Sequence, residues 1–340
     1  MSTTPAPDSL LAPILALHDR IRDQVLAATE RQDLAALSRV AAETAGDTIF
    51  AIDRIGEEAL VAELEARLAG GPPVVLVAEG LAGGELVLPR GARAADAAWR
   101  VLVDPIDGTR GLMYQKRPAW ILTGVAPNRG PATSLADVVL AVQTEIPLVK
   151  QHLADQLWAI RGRGVRAERI HRFTGERRAI APRPSGASDL AQGFAMIARF
   201  FPGGRDVLAA IDEEVVREVL GPPAAGRALC FEDQYLSTGG QLHELGAGHD
   251  RFVADLRPLL APLLAARGEP APLCCHPYDL AAVLIATELG VEVTDARGRP
   301  LDAPLDVETA VAWVGYANRA IRARVEPALQ AALRRRGLLP

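Results

Sequence analysis

The sequence predicts a layered α+β / α/β protein. Three observations carry that prediction. Apolar residues recur at helical spacing over the first part of the chain. Several short β-branched runs with short connections follow. Beyond Ser188, helical and strand-like segments alternate. Short connections point to a largely antiparallel sheet covered by helices, and alternation points to α/β packing. The length of 340 residues corresponds to about two domains. With 49% hydrophobic and 23% charged residues the chain buries a sizeable core, which excludes global disorder.

In chain order, residues 1–9 read as a frayed end. Leu10 to about Ala45 has helical spacing, with a break near Arg31–Asp33. Asp53–Ala69 is a second helical stretch, stopped by Gly70-Gly71-Pro72-Pro73. Val74–Ala78 reads as a buried strand, Gly80–Asp96 as a loop, and Trp99–Val103 as a strand running into DPIDGT. Trp120–Ala126, Val138–Val142 and Leu157–Ile160 are further strands. Arg183–Ser188 is the expected linker between a metal-binding α+β domain over 10–184 and an α/β domain over 185–340 that completes the site. Past it, helices are expected over Arg205–Leu220, Leu236–Leu245, Asp279–Leu289 and Asn318–Arg335. Strands are expected over Arg227–Phe231, Arg251–Leu256, Val291–Asp295 and Ala310–Val314.

The net charge of −5 argues against a protein built to grip nucleic acid. Only two of its 37 basic residues are lysine, Lys116 and Lys150, which resembles a coding bias more than a guanidinium requirement. Cys230, Cys274 and Cys275 cannot make a disulfide framework, and the adjacent pair lacks zinc-knuckle spacing. His171, His243, His249 and His276 match no ligand spacing. The first 20 residues lack a basic n-region, and no stretch approaches the roughly 20 apolar residues of a membrane span. A cytoplasmic protein without a membrane partner is expected.

The chemistry concentrates in Val101–Gly111, VLVDPIDGTRG. Asp104 ends an apolar strand, Pro105 forces a turn, and Asp107 follows three residues on. Gly108 permits a positive φ or a close approach. Two carboxylates on one turn need a cation or a proton to compensate them. Hard divalent cations take such oxygen ligands, and the Ile106 carbonyl could add another.

DPIDGT resembles the central motif of the inositol monophosphatase family, the Mg²⁺-dependent, lithium-sensitive sugar-phosphatase superfamily. Other family elements follow in order: Asp47 and Asp53 in an Asp-x(5)-Asp element, Glu79 after a strand, and Tyr278-Asp279-Leu280-Ala281-Ala282 opening a helix. The resemblance runs from about residue 40 to about residue 320. It implies an alternating α-β-α-β-α sandwich and a homodimer. It implies that Glu79, Asp104 and the Ile106 carbonyl hold one Mg²⁺, and that Asp104, Asp107 and Asp279 hold a second. A third ion would sit near Glu79. Thr109, assisted by Asp53, would take a proton from the attacking water. The backbone N–H groups of Gly108 and Thr109 would cradle the phosphate.

The chain departs from the family pattern in three places. Glu79 is followed by Gly80 where many relatives carry a second acid, Tyr278 stands where Trp is common, and Arg110–Trp120 replaces a shorter segment. Arg110, Lys116 or Arg117 could add positive charge beside the phosphate. Asp255 falls near the position of an acid that binds a ring hydroxyl in inositol-type enzymes; Glu232, Asp233 and Gln234 are further candidates. The implied substrate is a small polyol or sugar phosphate. Fructose 1,6-bisphosphate, a 3′-phosphoadenosine nucleotide and histidinol phosphate are alternatives, because fold does not select among them. A non-catalytic binding or regulatory protein is the reading from another class, and the presence of every expected ligand residue weighs against it.

Overall fold

The computed structural model describes residues 6–31, 40–43, 48–50, 60–62, 64–66 and 71–340. Helix α1 spans Asp8–Arg31 and so begins inside the segment expected to be frayed. It buries Leu10, Ile14, Leu17, Ile21 and Val25 on one stripe. The helix expected to continue to Ala45 does not: Val40–Glu43 (β1) and Thr48–Phe50 (β2) form an antiparallel pair. Residues 60–62 and 64–66 are helical, and Leu60 and Leu64 join the apolar cluster beside α1.

Eight strands make the main sheet. They are β3 (Val74–Ala78), β4 (Glu85–Leu88), β5 (Trp99–Asp107), β6 (Ala119–Pro127), β7 (Leu140–Ile146), β8 (Leu153–Ile160), β9 (Val165–His171) and β10 (Arg177–Ile180). Their order is β10-β9-β8-β7-β6-β5-β3-β4. Every neighbouring pair is antiparallel except β3 and β5. Strand β4 lies in the segment read as a loop, and the β9–β10 hairpin was not foreseen. Their exposed, charged residues, such as Arg177 and Arg178, hide the apolar alternation.

A second sheet has the order β11-β12-β14-β13. Its strands are β11 (Phe194–Ile197), β12 (Asp250–Asp255), β13 (Glu292–Thr294) and β14 (Trp313–Tyr316). The strand expected over Arg227–Phe231 is absent; only Phe231 bridges to Phe194. The further α-helices are α2 (Thr109–Met113), α3 (Arg205–Leu220), α4 (Thr238–Ala247), α5 (Ala261–Ala266), α6 (Val283–Leu289) and α7 (Arg319–Arg335).

The layers follow from which apolar faces meet. Helix α1 covers one face of the large sheet. Helices α4 and α6 cover its other face and also pack on the small sheet. Helices α3 and α7 close the far side of the small sheet. The result is the α-β-α-β-α sandwich. At the first interface His18 is buried on α1, with one ring nitrogen 2.9 Å from the Thr144 hydroxyl and the other 2.8 Å from that of Thr123. Burial pushes its pKa down to about 3, helped by the Arg22 charge.

Candidate active site

Strand β5 carries two acids, and an irregularity decides where they point. Asp104 lies opposite Leu122 of β6, while Asp107 lies opposite Trp120. Three steps on β5 match two on β6, so one extra residue is inserted as a bulge. In a regular strand, residues three apart face opposite sides of the sheet. The extra residue brings both carboxylates to the side of Leu122 and Trp120 and sends Ile106 into the cluster beside α1. Pro105 thus interrupts the pairing without ending the strand, which was expected to turn away after Val103.

The parallel pairing of β3 with β5 supplies the third acid. Ala78 pairs with Val103, so one further step sets Glu79 level with Asp104. Adjacent strands lie about 4.8 Å apart. The fourth acid comes from distant sequence. Asp279 lies in a 3₁₀ turn over Pro277–Leu280, just before α6 rather than inside it, and accepts the His276 N–H at 2.6 Å. That turn packs against β5, β6 and α4.

One carboxylate oxygen from each of Asp104, Asp107 and Asp279 lies within 4.8 Å of the others. Glu79, Ile106, Gly108, Thr109 and Arg110 line the same open cleft. Asp53 lies outside the described residues. The crowding is electrostatically unfavourable. Burial first, then the charges of Asp107, Asp279 and Glu79, raises the Asp104 pKa well above the carboxylate range. Burial and Asp107 do the same to Asp279. Buried acids that resist ionisation beside one another are the donor set that a hard divalent cation relieves. The residues present therefore fit a metal.

Asp107 is held by a neighbour the sequence did not reveal. Its carboxylate accepts the Ser237 hydroxyl at 2.8 Å, the Gly239 N–H at 2.5 Å and the Thr238 N–H at 3.3 Å. These donors form the first turn of α4, so the acid compensates the positive end of that helix. Gly239 is required for the approach: a Cβ there would stand 2.9 Å from Asp107 Oδ2 and 2.6 Å from Leu122. Asp104 is oriented by its own loop through the Ile106 N–H at 2.9 Å. The Thr109 hydroxyl donates to the Ile106 carbonyl at 2.9 Å. Gly108 precedes α2 with φ +96°, the left-handed conformation its lack of a side chain allows.

Several expected contacts fall elsewhere. Asp255 does not line the cleft. It is buried behind the wall, where Arg257 Nε and Nη2 donate to its two oxygens at 2.9 and 2.5 Å. Glu232 pairs with Arg199, Asp233 with Arg117, and the Gln234 side chain bonds the backbone of Ile197 and Arg199. Arg117 and Lys116 are likewise absent from the cleft lining, whereas Arg110 is part of it. In their place stand Arg257, Phe200 and Phe201, none of which the sequence reading singled out. The only prior signals were an Arg two residues after Asp255 and a Phe-Phe pair in a chain with seven phenylalanines.

No family model matches the sequence, and no curated protein matches it by sequence. Solved structures do match. The extragenic suppressor protein suhB of Bartonella henselae superposes with a TM-score of 0.63 at 16% identity, covering 94% of this chain and 98% of that one. The Thermotoga maritima IMPase gives 0.59 at 16%, covering 95% and 97%. The fructose-1,6-bisphosphatase of Leishmania major in holo form gives 0.65 at 14%, covering 95% and 93%. The chain has the inositol monophosphatase fold. Within that fold the acids of β5 and the 3₁₀ turn meet between the two sheets, and no described helix is long and apolar enough to cross a membrane.

Proposed function

We propose that the protein is a Mg²⁺-dependent phosphomonoesterase acting on a small polyol or sugar phosphate. The observation that carries this reading is the convergence of Asp104, Asp107 and Asp279 in a cleft of the inositol monophosphatase fold. In the proposal Glu79, Asp104, Asp107, Asp279 and the Ile106 carbonyl hold the cations. Divalent cations bound there would lower the pKa of water and neutralise charge on the leaving oxygen.

The remaining work falls to side chains and backbone of this chain. The first turn of α4 fixes Asp107, and the Ile106 N–H fixes Asp104, so neither carboxylate reorganises when substrate arrives. The Thr109 hydroxyl donates to the Ile106 carbonyl at 2.9 Å, which holds its oxygen at the cleft. In the proposal Thr109 takes a proton from the attacking water, assisted by Asp53, and Glu79 is a further catalytic residue. The Gly108 and Thr109 N–H groups receive the ester phosphate, and Arg110 adds positive charge at the cleft edge. Residues 10–184 and 185–340 act as two domains of one catalytic unit, as a cytoplasmic homodimer.

A panel of phosphomonoesters assayed with and without Mg²⁺ tests the reading. Phosphate release that requires Mg²⁺ and is inhibited by Li⁺ is expected. No release from any ester would overturn it. Light scattering checks the dimer.

A further inference from the structure

The cleft is divided by charge. Among the described residues, the four acids that line it, Glu79, Asp104, Asp107 and Asp279, belong to the proposed cation site. The two basic residues that line it among the described residues, Arg110 and Arg257, meet at Phe201. The Arg110 guanidinium lies 5.2 Å from the centre of that ring and that of Arg257 5.3 Å, while Arg257 also stacks on Phe200 at 4.5 Å. Asp255, the acid expected to receive substrate hydroxyls, has both oxygens occupied by Arg257.

Two acceptors on this wall are already engaged. Arg257 Nη1 takes the Leu273 carbonyl at 2.6 Å, and the Ser237 oxygen takes the Gly240 N–H at 2.8 Å. Donors remain. A guanidinium has five N–H bonds. Three of those on Arg257 go to Asp255 and Leu273, which leaves two without an acceptor among the described residues. Arg257 is 3% exposed. A buried donor left without a partner is costly, and the phenyl rings around it strengthen any charge-assisted bond it makes. A polyol hydroxyl accepts through a neutral oxygen, whereas an oxyanion accepts with its full charge and makes the stronger, charge-assisted bond to a guanidinium.

Resting on the phosphatase reading, we propose that Arg257, with Arg110 beside it, selects esters whose alcohol part carries a second oxyanion, a carboxylate or a phosphate. Asp255 then serves to hold Arg257 and does not touch the polyol.

Matched esters test this. 3-Phosphoglycerate and glycerol 3-phosphate differ by a carboxylate, and fructose 1,6-bisphosphate and fructose 1-phosphate by a phosphate. In each pair the member with the second anion should show a kcat/KM higher by roughly tenfold or more. In Arg257→Met that ratio should fall toward one, mainly through KM. Because this variant strands a buried Asp255, the double variant Asp255→Leu/Arg257→Met and the single variant Arg110→Gln are measured beside it and should show the same collapse. Equal rates within each pair, a preference for the neutral member, or variants that slow both members alike would overturn the proposal. Turnover of none of the four esters would count against the phosphatase reading instead. Calorimetric binding of 3-phosphoglycerate to wild type and Arg257→Met would then decide the part of Arg257 separately, with equal affinity overturning it.

Discussion

Gly239 donates its backbone N–H to Asp107 Oδ2 at 2.5 Å, joining the start of α4 to the end of β5 across 132 residues of sequence. The contact makes a helix in the middle layer part of the support for a proposed cation ligand. Ser237 reinforces it at 2.8 Å.

Removing that support should be visible in two readouts. Ser237→Ala takes one donor from a buried carboxylate and should cost about 1–2 kcal/mol of stability. It should also raise the Asp107 pKa, because the hydroxyl favours the ionised form. The acid limb of the pH–rate profile would then move upward and half-activation would need more Mg²⁺. Loss of stability with an unmoved profile would argue for a structural contact alone.

Asp104→Asn should abolish nearly all turnover while leaving the melting temperature in EDTA unchanged or higher. The buried Asp104 is unfavourably ionised beside Asp107, Asp279 and Glu79, so removing its charge relieves repulsion. Full activity in this variant would exclude Asp104 from the site.

Mg²⁺ should raise the melting temperature of the wild-type protein, and Asp104→Asn or Asp279→Asn should lose most of that shift. Protons compete with the cation for carboxylates whose pKa is raised, so the shift should be larger at pH 8 than at pH 5.5. A shift independent of pH and of both substitutions would place Mg²⁺ elsewhere.

His18 predicts an acid limit to stability that is separate from the cleft. Its folded pKa of about 3 lies below the ordinary value of 6.5, so the unfolded chain binds the extra proton between those values. Its stabilisation is complete above pH 6.5 and falls as pH drops, by up to about 1.4 kcal/mol per pH unit. His18→Gln, which can still bond Thr123 and Thr144, should flatten the dependence of the urea midpoint between pH 7.5 and pH 5.5. An equally steep dependence in the variant would mean that other groups set it.

The parts of this molecule that sequence makes legible are those where one local rule dominates. Val74–Ala78 is buried at every position and reads as a strand for that reason. Arg205–Leu220 carries a clean helical stripe between flanking glycines and was placed at its true ends. Asp104, Asp107 and Asp279 are legible through a motif, although only the fold brings them within 4.8 Å. What escaped the sequence depended on partners far along the chain. Arg177 and Arg178 give β10 no apolar alternation, since its pairing with β9 supplies the strand. Asp255 has the right residue type for a hydroxyl contact, but Arg257 two positions later has claimed it. The grip of α4 on Asp107 uses backbone N–H groups, which no side-chain pattern reports.

The bulge between Asp104 and Asp107 has a consequence for how this segment tolerates change. Exchanging Ile106 for another apolar residue keeps the count of residues on β5 and leaves both acids facing the cleft. Deleting one residue between them would leave the acids two apart in a regular pleat, still opposite Leu122 and Trp120 and still facing the cleft, but would remove the bulge that aims the Ile106 N–H at Asp104. What the extra residue supplies is therefore not the facing of the acids but the backbone N–H and carbonyl of Ile106 beside them.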